Sequence, residues 1–126
     1  MQLSRDLDLH PAAITGIDGV RVRIGDRWLE RSFWVCPTGH GEWAPQSFAE
    51  LATGHIHELL AQQPELILLG TGERSLWLSP ALQACALQRR CGIECMANAA
   101  AARTFNVLLG EGRAVLAAFL IRRPQT

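Results

Sequence analysis

The chain has 126 residues, which is the length of one domain, and 48% of them are hydrophobic while 19% are charged. This composition supports one packed core and excludes a disordered chain. Twelve basic residues balance twelve acidic ones, so the basic excess typical of nucleic-acid-binding proteins is absent. Every basic residue is arginine, which excludes lysine chemistry such as Schiff-base formation or a P-loop.

We expect no segment of this sequence to direct the chain to a membrane. The stretch from Met1 to Asp8 contains acidic side chains and lacks the apolar core of a signal peptide. The longest apolar run, 114–121, is far shorter than the ~20 residues of a membrane-spanning helix. We therefore expect a cytoplasmic protein, with its cysteines as buried thiols rather than disulfides. The cysteines are Cys36, Cys85, Cys91 and Cys95.

The first third of the sequence predicts an antiparallel meander. The predicted elements are a flexible arm over 1–11, strands over 13–17, 20–24 and 28–35, and an irregular loop over 36–45. Asp18-Gly19 is a hairpin turn signal. Arg21 and Arg23 alternate with apolar residues, which gives the second strand one buried and one solvent-exposed face. Prolines and glycines predict the loop.

The remaining sequence alternates helical and strand patterns. The predicted elements are short helices from Ser47 and around Ile56, strands over 66–69 and 75–78, a helix opened by Pro80 and stopped by Gly92, a strand over 93–96, a helix over 99–109, and a last strand over 113–121. Continuous apolar runs at 66–69 and 113–121 are typical of strands buried on both faces. Together these elements predict a three-layer α/β domain over 12–122, with a mixed sheet, an N-terminal antiparallel extension and a C-terminal tail over 123–126.

Several motifs of the second half occur together in one known family. They are PELILLGTG at 64–72, GIECM at 92–96, AARTFNVL at 101–108, EGR at 111–113 and AAFLI at 117–121. This combination resembles the Mth938-like domain family, a domain of unknown function whose relatives include a mitochondrial complex I assembly factor and an adipogenesis-associated protein. The resemblance covers about 12–122 and implies a three-layer α/β fold with a mixed sheet and a hairpin extension.

The resemblance implies no established reaction, and this chain departs from the family pattern at two places. The family often has tyrosine where this chain has Phe105, so the phenol that acid–base chemistry at this position would need is missing. The family also often has a hydroxyl and an acidic residue near 97–99, where this chain has alanines beside Asn98.

A candidate ligand site is expected beyond the carboxyl ends of the strands, where ligands of open α/β sheets usually bind. Gly70-Thr71-Gly72 leaves one strand, and its glycines permit a close backbone approach. Asn98 is expected to cap the helix after another strand, where unpaired N–H groups carry a partial positive charge. Arg103 and Thr104 follow, and the set could hold a carboxylate or phosphate. The turn lacks the nucleotide-binding glycine patterns.

Arg103 leaves two interpretations of this site open. Its alanine neighbours at 99–102 indicate close packing, so we expect partial burial and pairing with Glu94 or Glu73. Asn106 lies three residues on and could bond the Gly-Thr-Gly turn. These side chains form either a ligand pocket or a structural polar network that fixes the sheet register.

Metal binding and nucleophilic catalysis are not expected. Neither Cys36 with His40 nor Cys91 with Cys95 has the Cys-x2-Cys spacing of zinc knuckles. Two further histidines, at 55 and 57, point in different directions on a helix. The candidate nucleophiles Ser75, Ser79 and Cys95 have no histidine nearby in the matching half of the sequence. We therefore predict no catalytic residue, no metal and no cofactor.

Tryptophans supply a candidate partner surface. Trp28, Trp34 and Trp43 crowd the first third of the chain, and tryptophan is enriched at protein interfaces. Strand alternation places Trp28 and Trp34 on one face. An exposed aromatic patch would mark a partner surface, whereas folding of the loop over 36–45 onto these rings would cover them.

These observations predict a non-enzymatic binding module with an unidentified protein partner and no nucleic acid. The family resemblance implies that the partner belongs to a membrane complex or its assembly machinery. The alternative is an enzyme or a binding protein for a small anionic ligand, using the cleft between Gly70–Gly72 and Arg103.

Overall fold

The structure, a computed structural model, describes residues 10–19 and 21–122. Its elements in chain order are β1 (Ile14–Asp18), β2 (Arg21–Ile24), β3 (Arg27–Leu29), β4 (Phe33–Cys36), β5 (Gly39–Glu42), a 3₁₀ turn (Phe48–Glu50), α1 (Thr53–Leu60), β6 (Leu66–Gly70), α2 (Pro80–Leu87), β7 (Gly92–Met96), α3 (Asn98–Gly110) and β8 (Val115–Phe119). The predicted tail and most of the predicted arm lie outside the described residues, as does Val20.

The strands form two sheets. Strands β1, β2 and β3 make an antiparallel sheet in that order. The larger sheet has the order β5-β4-β8-β6-β7. Within it β6 runs parallel to β7 and β8, while β4 runs antiparallel to β5 and β8. The predicted mixed sheet with an N-terminal antiparallel extension is therefore confirmed.

Alternate side chains of β6 face two separate halves of the core. Leu68 packs with Val22 and Phe105, so this face is covered by the smaller sheet and α3. Ile67 and Leu69 pack with side chains of α1 and α2 on the other face. Strand β6 is thus buried on both faces, as its unbroken apolar run predicts. The result is the predicted three-layer α/β domain.

The predicted single strand over 28–35 is wrong, because the chain changes sheets within it. Residues 27–29 belong to the smaller sheet and residues 33–36 to the larger one. Ser32, only 3% exposed, fixes the crossing. Its hydroxyl accepts a hydrogen bond from Ile121 N at 2.9 Å and donates to Ile121 O at 3.3 Å. This exchange ties the crossing to the segment that follows β8.

The predicted irregular loop over 36–45 instead contains β5. This strand pairs with β4 as a hairpin in which Gly41 lies opposite Trp34. A Cβ atom at Gly41 would come within 2.8 Å of the Trp34 ring, so glycine leaves space for the indole. The glycines therefore permit the hairpin rather than prevent regular structure.

Three smaller differences concern the ends of elements. The helix predicted from Ser47 is only a 3₁₀ turn, and the strand predicted over 75–78 has no ladder partner in the described residues. Gly92 does not stop a helix but begins β7. The left-handed residue after α2 is Arg90, with φ +57°. Local propensity could not place these ends, because tertiary contacts decide them.

Asn106 anchors the smaller sheet to α3. Its Oδ1 accepts a hydrogen bond from Ile14 N at 2.9 Å, and its Nδ2 donates to Ile14 O at 2.8 Å. The amide thus satisfies both polar groups of one residue of β1, as a neighbouring strand would. The expected bond to the Gly-Thr-Gly turn is not formed, so that expectation is corrected.

Removing this anchor should destabilise the fold. Asn106→Ala deletes both bonds and leaves the backbone groups of Ile14 without their partner, so we expect a loss of about 2 kcal/mol in the free energy of unfolding. Urea denaturation measures it. Val107→Ala, at an exposed neighbouring position, is the control and should change stability by less than about 0.5 kcal/mol. Equal urea midpoints for the two variants would contradict the anchoring role.

Candidate functional site

An open groove lies beyond the edge where β6 and β8 end. The two strands are parallel, so their carboxyl ends meet there. The groove has a volume of about 600 Å³ and is lined mainly by residues 46–49, 71–73 and 120–122, together with Asn98. This volume lies within the range of small-molecule sites. The groove therefore occupies the position that the fold class predicts for a ligand.

Thr71 holds the Gly-Thr-Gly turn in place. Its N–H donates to the carbonyl oxygen of Met96 at 2.9 Å. Its hydroxyl donates to the carbonyl oxygen of Arg74 and lies 3.3 Å from that of Met96. The side chain is buried. The Thr71 hydroxyl, expected to face a ligand, is thus engaged by the turn itself.

Asn98 joins the segments that follow β6 and β8. Its N–H donates to Gly72 O at 2.7 Å, and its Oδ1 accepts from Gly72 N at 3.1 Å. Its Nδ2 donates to Leu120 O at 3.1 Å. The expected helix-capping role is wrong, because Ala97 is the N-cap residue and Asn98 is the first residue of α3. The amide is used to connect two distant segments instead.

Both glycines of the turn are required by this arrangement. A Cβ atom at Gly70 would collide with the side-chain amide of Asn98 and come within 3.0 Å of the Phe119 ring. Gly72 has a φ of +103°, a conformation that other residues rarely adopt. The turn is therefore built around the Asn98 amide.

Arg103 lies away from the groove. It is exposed on the outer side of α3, on the same face as Ala99 and Val107. Its expected burial and its pairing with Glu94 or Glu73 are corrected, because it has no ion-pair partner among the described residues. The helical period explains this: Ala101 and Ala102 face the core, so the next position turns outward.

The structure divides the predicted ligand residues into two sets. Gly70, Thr71, Gly72 and Asn98 meet at the carboxyl edge of the sheet. Of the eight residues, Thr71, Gly72 and Asn98 line the groove, and five do not, namely Gly70, Glu94, Arg103, Thr104 and Asn106. Ligand binding by any of these residues stays a prediction.

Burial raises the pKa of the thiols of Cys91 and Cys95, which keeps them protonated and weakens them as nucleophiles. Over residues 10–19 and 21–122, no three His, Cys, Asp or Glu side chains are grouped to hold a metal ion. In the same residues, every helix is too short or too polar to cross a bilayer.

The three tryptophans proposed as a partner surface have different environments. Trp43 is only 3% exposed, and its Nε1 donates to His55 O at 3.2 Å, so it is a core residue and the expectation of exposure is wrong for it. Trp28 is half-buried, with the guanidinium carbon of Arg21 4.1 Å from its ring centroid. Trp34 is half-buried against Gly41. A partner role for Trp28 and Trp34 stays a prediction.

Sequence reasoning missed the most exposed tryptophan. Trp77 is 93% exposed and lies in the segment between β6 and α2. With Gln83 and β7 it lines a shallow cavity of about 260 Å³. One signal in the sequence could have identified this region: the fourteen residues 75–88 carry no charge, although Glu73-Arg74 precede them and Arg89-Arg90 follow.

Comparison with solved structures identifies the class of domain. A Bordetella pertussis protein described as a Mth938-like domain has the same fold, with a TM-score of 0.81 at 23% identity over 92% of this chain and 89% of that chain. The Xanthomonas campestris protein XCC1710 is 38% identical over 90% of this chain and 87% of that chain, with a TM-score of 0.82. A Bordetella parapertussis protein is 29% identical over 86% of this chain and 94% of that one, with a TM-score of 0.83.

This fold is therefore a Mth938-like domain, which confirms the resemblance found in the sequence. The chain belongs to the family described as protein of unknown function (DUF498/DUF598), which matches residues 14–120. No curated protein matches the chain.

The turn geometry yields a test by glycine substitution. Gly70→Ala should lower the free energy of unfolding by about 2 kcal/mol or more, because the added methyl overpacks against Asn98. Gly72→Ala should cost about 1–2 kcal/mol through its positive φ. Gly54→Ala in α1 is the matched control, since nothing lies within 4 Å of its added Cβ, and it should be neutral or stabilising. Thermal unfolding of the three variants measures the differences, and equal effects would contradict the proposed packing.

Proposed function

We propose that this domain is a non-catalytic protein-binding module whose partner contacts an apolar surface around α2. We call this the α2 surface and define it by its exposed apolar residues, which are Trp77, Pro80, Ala81, Ala84 and Leu87. The observation that carries the proposal is the 93% exposure of Trp77. Monomeric proteins rarely leave a large indole and adjacent apolar residues uncovered without a binding role.

The composition of the α2 surface matches that of an interface centre. Charged residues are depleted and tryptophan is enriched at the centres of protein interfaces. The α2 surface contains no charged residue, and Leu87 at its far end is 67% exposed. Buried tryptophans at such centres often contribute about 2 kcal/mol or more to binding. Trp77 is therefore the residue expected to dominate the affinity.

The polar groups of the carboxyl edge also favour binding over catalysis. Thr71 and Asn98, the two polar side chains at the turn, use their hydrogen-bonding groups to hold the backbone of neighbouring segments. We further propose that the bound protein is a subunit of a larger complex. The family resemblance to an assembly factor supports this part of the proposal.

Site-specific photo-crosslinking tests the proposed surface. A photoreactive phenylalanine analogue replaces Leu87, which is 67% exposed, in the cell that produces the protein, so that Trp77 stays intact. The same analogue replaces Val107 as the control. Val107 is 60% exposed and lies on α3, on the opposite face of the larger sheet. We expect crosslinked protein from position 87 and none from position 107. Equal crosslinking at both positions, or none at position 87, would contradict the proposal.

A second candidate function is supported by the groove at the carboxyl edge. Its volume of about 600 Å³ suits a small ligand. Two charged residues line the groove in the part of the chain that the structure describes, and they are Glu73 and Arg122. An anionic ligand would therefore meet Arg122 there rather than Arg103, with Glu73 disfavouring multiply charged anions. We propose a small monoanion as the ligand for this alternative.

A pair of arginine variants tests the alternative. Nuclear magnetic resonance titration with a panel of monocarboxylates should shift the amide signals of Gly72 and Ala49, which line the groove. Arg122→Ala should then weaken binding at least tenfold because it removes the basic side chain of the groove. Arg103→Ala is matched in chemistry but lies outside the groove, so it should leave binding unchanged. An effect of the Arg103 variant equal to that of the Arg122 variant would overturn this alternative.

A further inference from the structure

We infer that the open edge of β5 binds an extended peptide segment of a partner protein, which adds to the five-stranded sheet as a further strand. In this mode of recognition, backbone hydrogen bonds supply affinity and side-chain contacts supply specificity. Strand β5 lies at one edge of the larger sheet, whereas Trp77 lies beside β7 at the other edge. The inference is therefore independent of the α2 surface.

The register of the β4–β5 hairpin shows which backbone groups of β5 face outward. Trp43 N donates to Ser32 O at 3.0 Å. These two residues continue the register in which Glu42 lies opposite Phe33. Because hydrogen-bonded and non-hydrogen-bonded pairs alternate along an antiparallel ladder, the N–H and C=O groups of Glu42 and His40 point away from β4. Within the described residues, no group bonds to them on that side.

Two other strand edges are covered by the protein itself. At β1, the side-chain amide of Asn106 bonds to the backbone of Ile14. At β7, the hydroxyl of Ser75 donates to Cys95 O at 3.4 Å, so the segment before α2 lies along that edge. The part of the chain that the structure describes supplies no such cover for β5. An uncovered strand edge is a template for pairing with another chain.

An open groove runs along this edge. A cavity of about 510 Å³ is lined by β3 and by residues 40–42 of β5, and a second cavity of about 420 Å³ is lined by residues 42–44. The two cavities share Arg31, Ser32 and Glu42. Together they follow about five residues of the chain, which is the length of a typical strand. The groove therefore has room for an extended peptide.

The indole of Trp34 adds an apolar contact and a free donor to this edge. Trp34 is half-buried, and its ring lies beside Gly41, where a Cβ atom would come within 2.8 Å of it. Its Nε1–H has no acceptor among the described residues, whose buried side-chain polar atoms are all bonded, so this N–H is open to solvent. We therefore expect an apolar peptide residue beside Gly41, packed on the ring.

The charges of the groove favour a basic peptide residue beside the end of β5. The titratable residues that line the two cavities are Arg27, Glu30, Arg31, His40, Glu42 and Glu58. The cavity beside β3 has two guanidinium and two carboxylate groups, so its charges balance. The second cavity has two carboxylates, Glu42 and Glu58, and only the guanidinium of Arg31, which lies 3.9 Å from Glu42. Outside this lining, Glu50 and Arg122 offset each other.

Nuclear magnetic resonance titration of the chain with a synthetic peptide tests the site. The probe is a seven-residue peptide of alternating valine and threonine whose first residue is lysine, because an antiparallel strand begins beside Glu42. The amide signals of His40 and Glu42 and the indole signal of Trp34 should shift. The amide signals of Trp77 and Val107 should not. Unshifted signals at β5 with millimolar peptide would overturn the inference.

Two methylated forms of the peptide separate strand addition from non-specific contact. Alternate N–H groups of an extended peptide face the same neighbouring strand. Methylation of the set that faces β5 should weaken binding at least about tenfold, because it removes the bonds to the edge. Methylation of the opposite set should leave the affinity unchanged. Equal affinities of the two forms would contradict strand addition.

A pair of variants at one position tests the same bonds from the protein. His40→Pro removes an N–H that faces the open edge and no bond to β4, so it should weaken peptide binding at least about tenfold. His40→Ala keeps the N–H and is the matched control, which should bind like wild type. Equal binding by the two variants would overturn the inference. If urea denaturation shows that the proline variant is unfolded, the methylated peptides decide the question.

The basic residue has a separate test. Glutamate in place of the peptide's lysine should weaken binding several-fold at low salt, where surface charges are least screened. Glu58→Gln should reduce the difference between the two peptides, because it removes one carboxylate of the groove. An unchanged difference would overturn the assignment of a basic residue to this end.

A second copy of the chain is the competing occupant of the β5 edge. Sedimentation velocity without peptide compares the wild-type protein with His40→Pro. Association of the wild type that the proline variant lacks would overturn a partner peptide in favour of a second copy. Monomeric behaviour of both, together with peptide-induced shifts at β5, would support the partner peptide.

Discussion

Strands β6 and β8 are buried on both faces, and the rest of the fold is arranged to cover them. Side chains of β6 and β8 alternate between the two halves of the core. Neither face can meet water without exposing leucine, valine or phenylalanine, so helices are needed on both sides. The smaller sheet shares one side with α3. The Asn106 amide fixes that sheet to the helix through the backbone of Ile14.

The carboxyl edge of the larger sheet shows how a motif with the appearance of a ligand site can have a structural role. Parallel strands end without a hairpin to connect them, so the segments beyond β6 and β8 need other polar partners. Asn98 supplies them with one side-chain amide, and Gly70 leaves the space that this amide occupies. The groove beyond the turn remains open, but its charged residues come from other segments than the motif.

The distribution of tryptophans is the basis on which we propose where this domain meets another protein. Trp43 belongs to the core, Trp28 is shielded by arginines and Trp34 lies against Gly41. Trp77 has no such cover and stands beside an uncharged helix. An indole in contact with water is energetically unfavourable for a free monomer. A partner that covers this indole would recover that free energy.

The sequence by itself determined the features that depend on local pattern and on motif. Unbroken apolar runs predicted β6 and β8, Pro80 predicted the start of α2, and the combination of motifs between 64 and 121 predicted the family. The tertiary structure alone decided the surroundings of individual side chains. Ser32 lies where the chain crosses between the sheets, Asn98 bridges two segments, and Arg103 faces outward. It also decided that Trp77 rather than Trp43 is exposed. Exposure and hydrogen-bond partners depend on elements far apart in the chain, so no local pattern of residues specifies them.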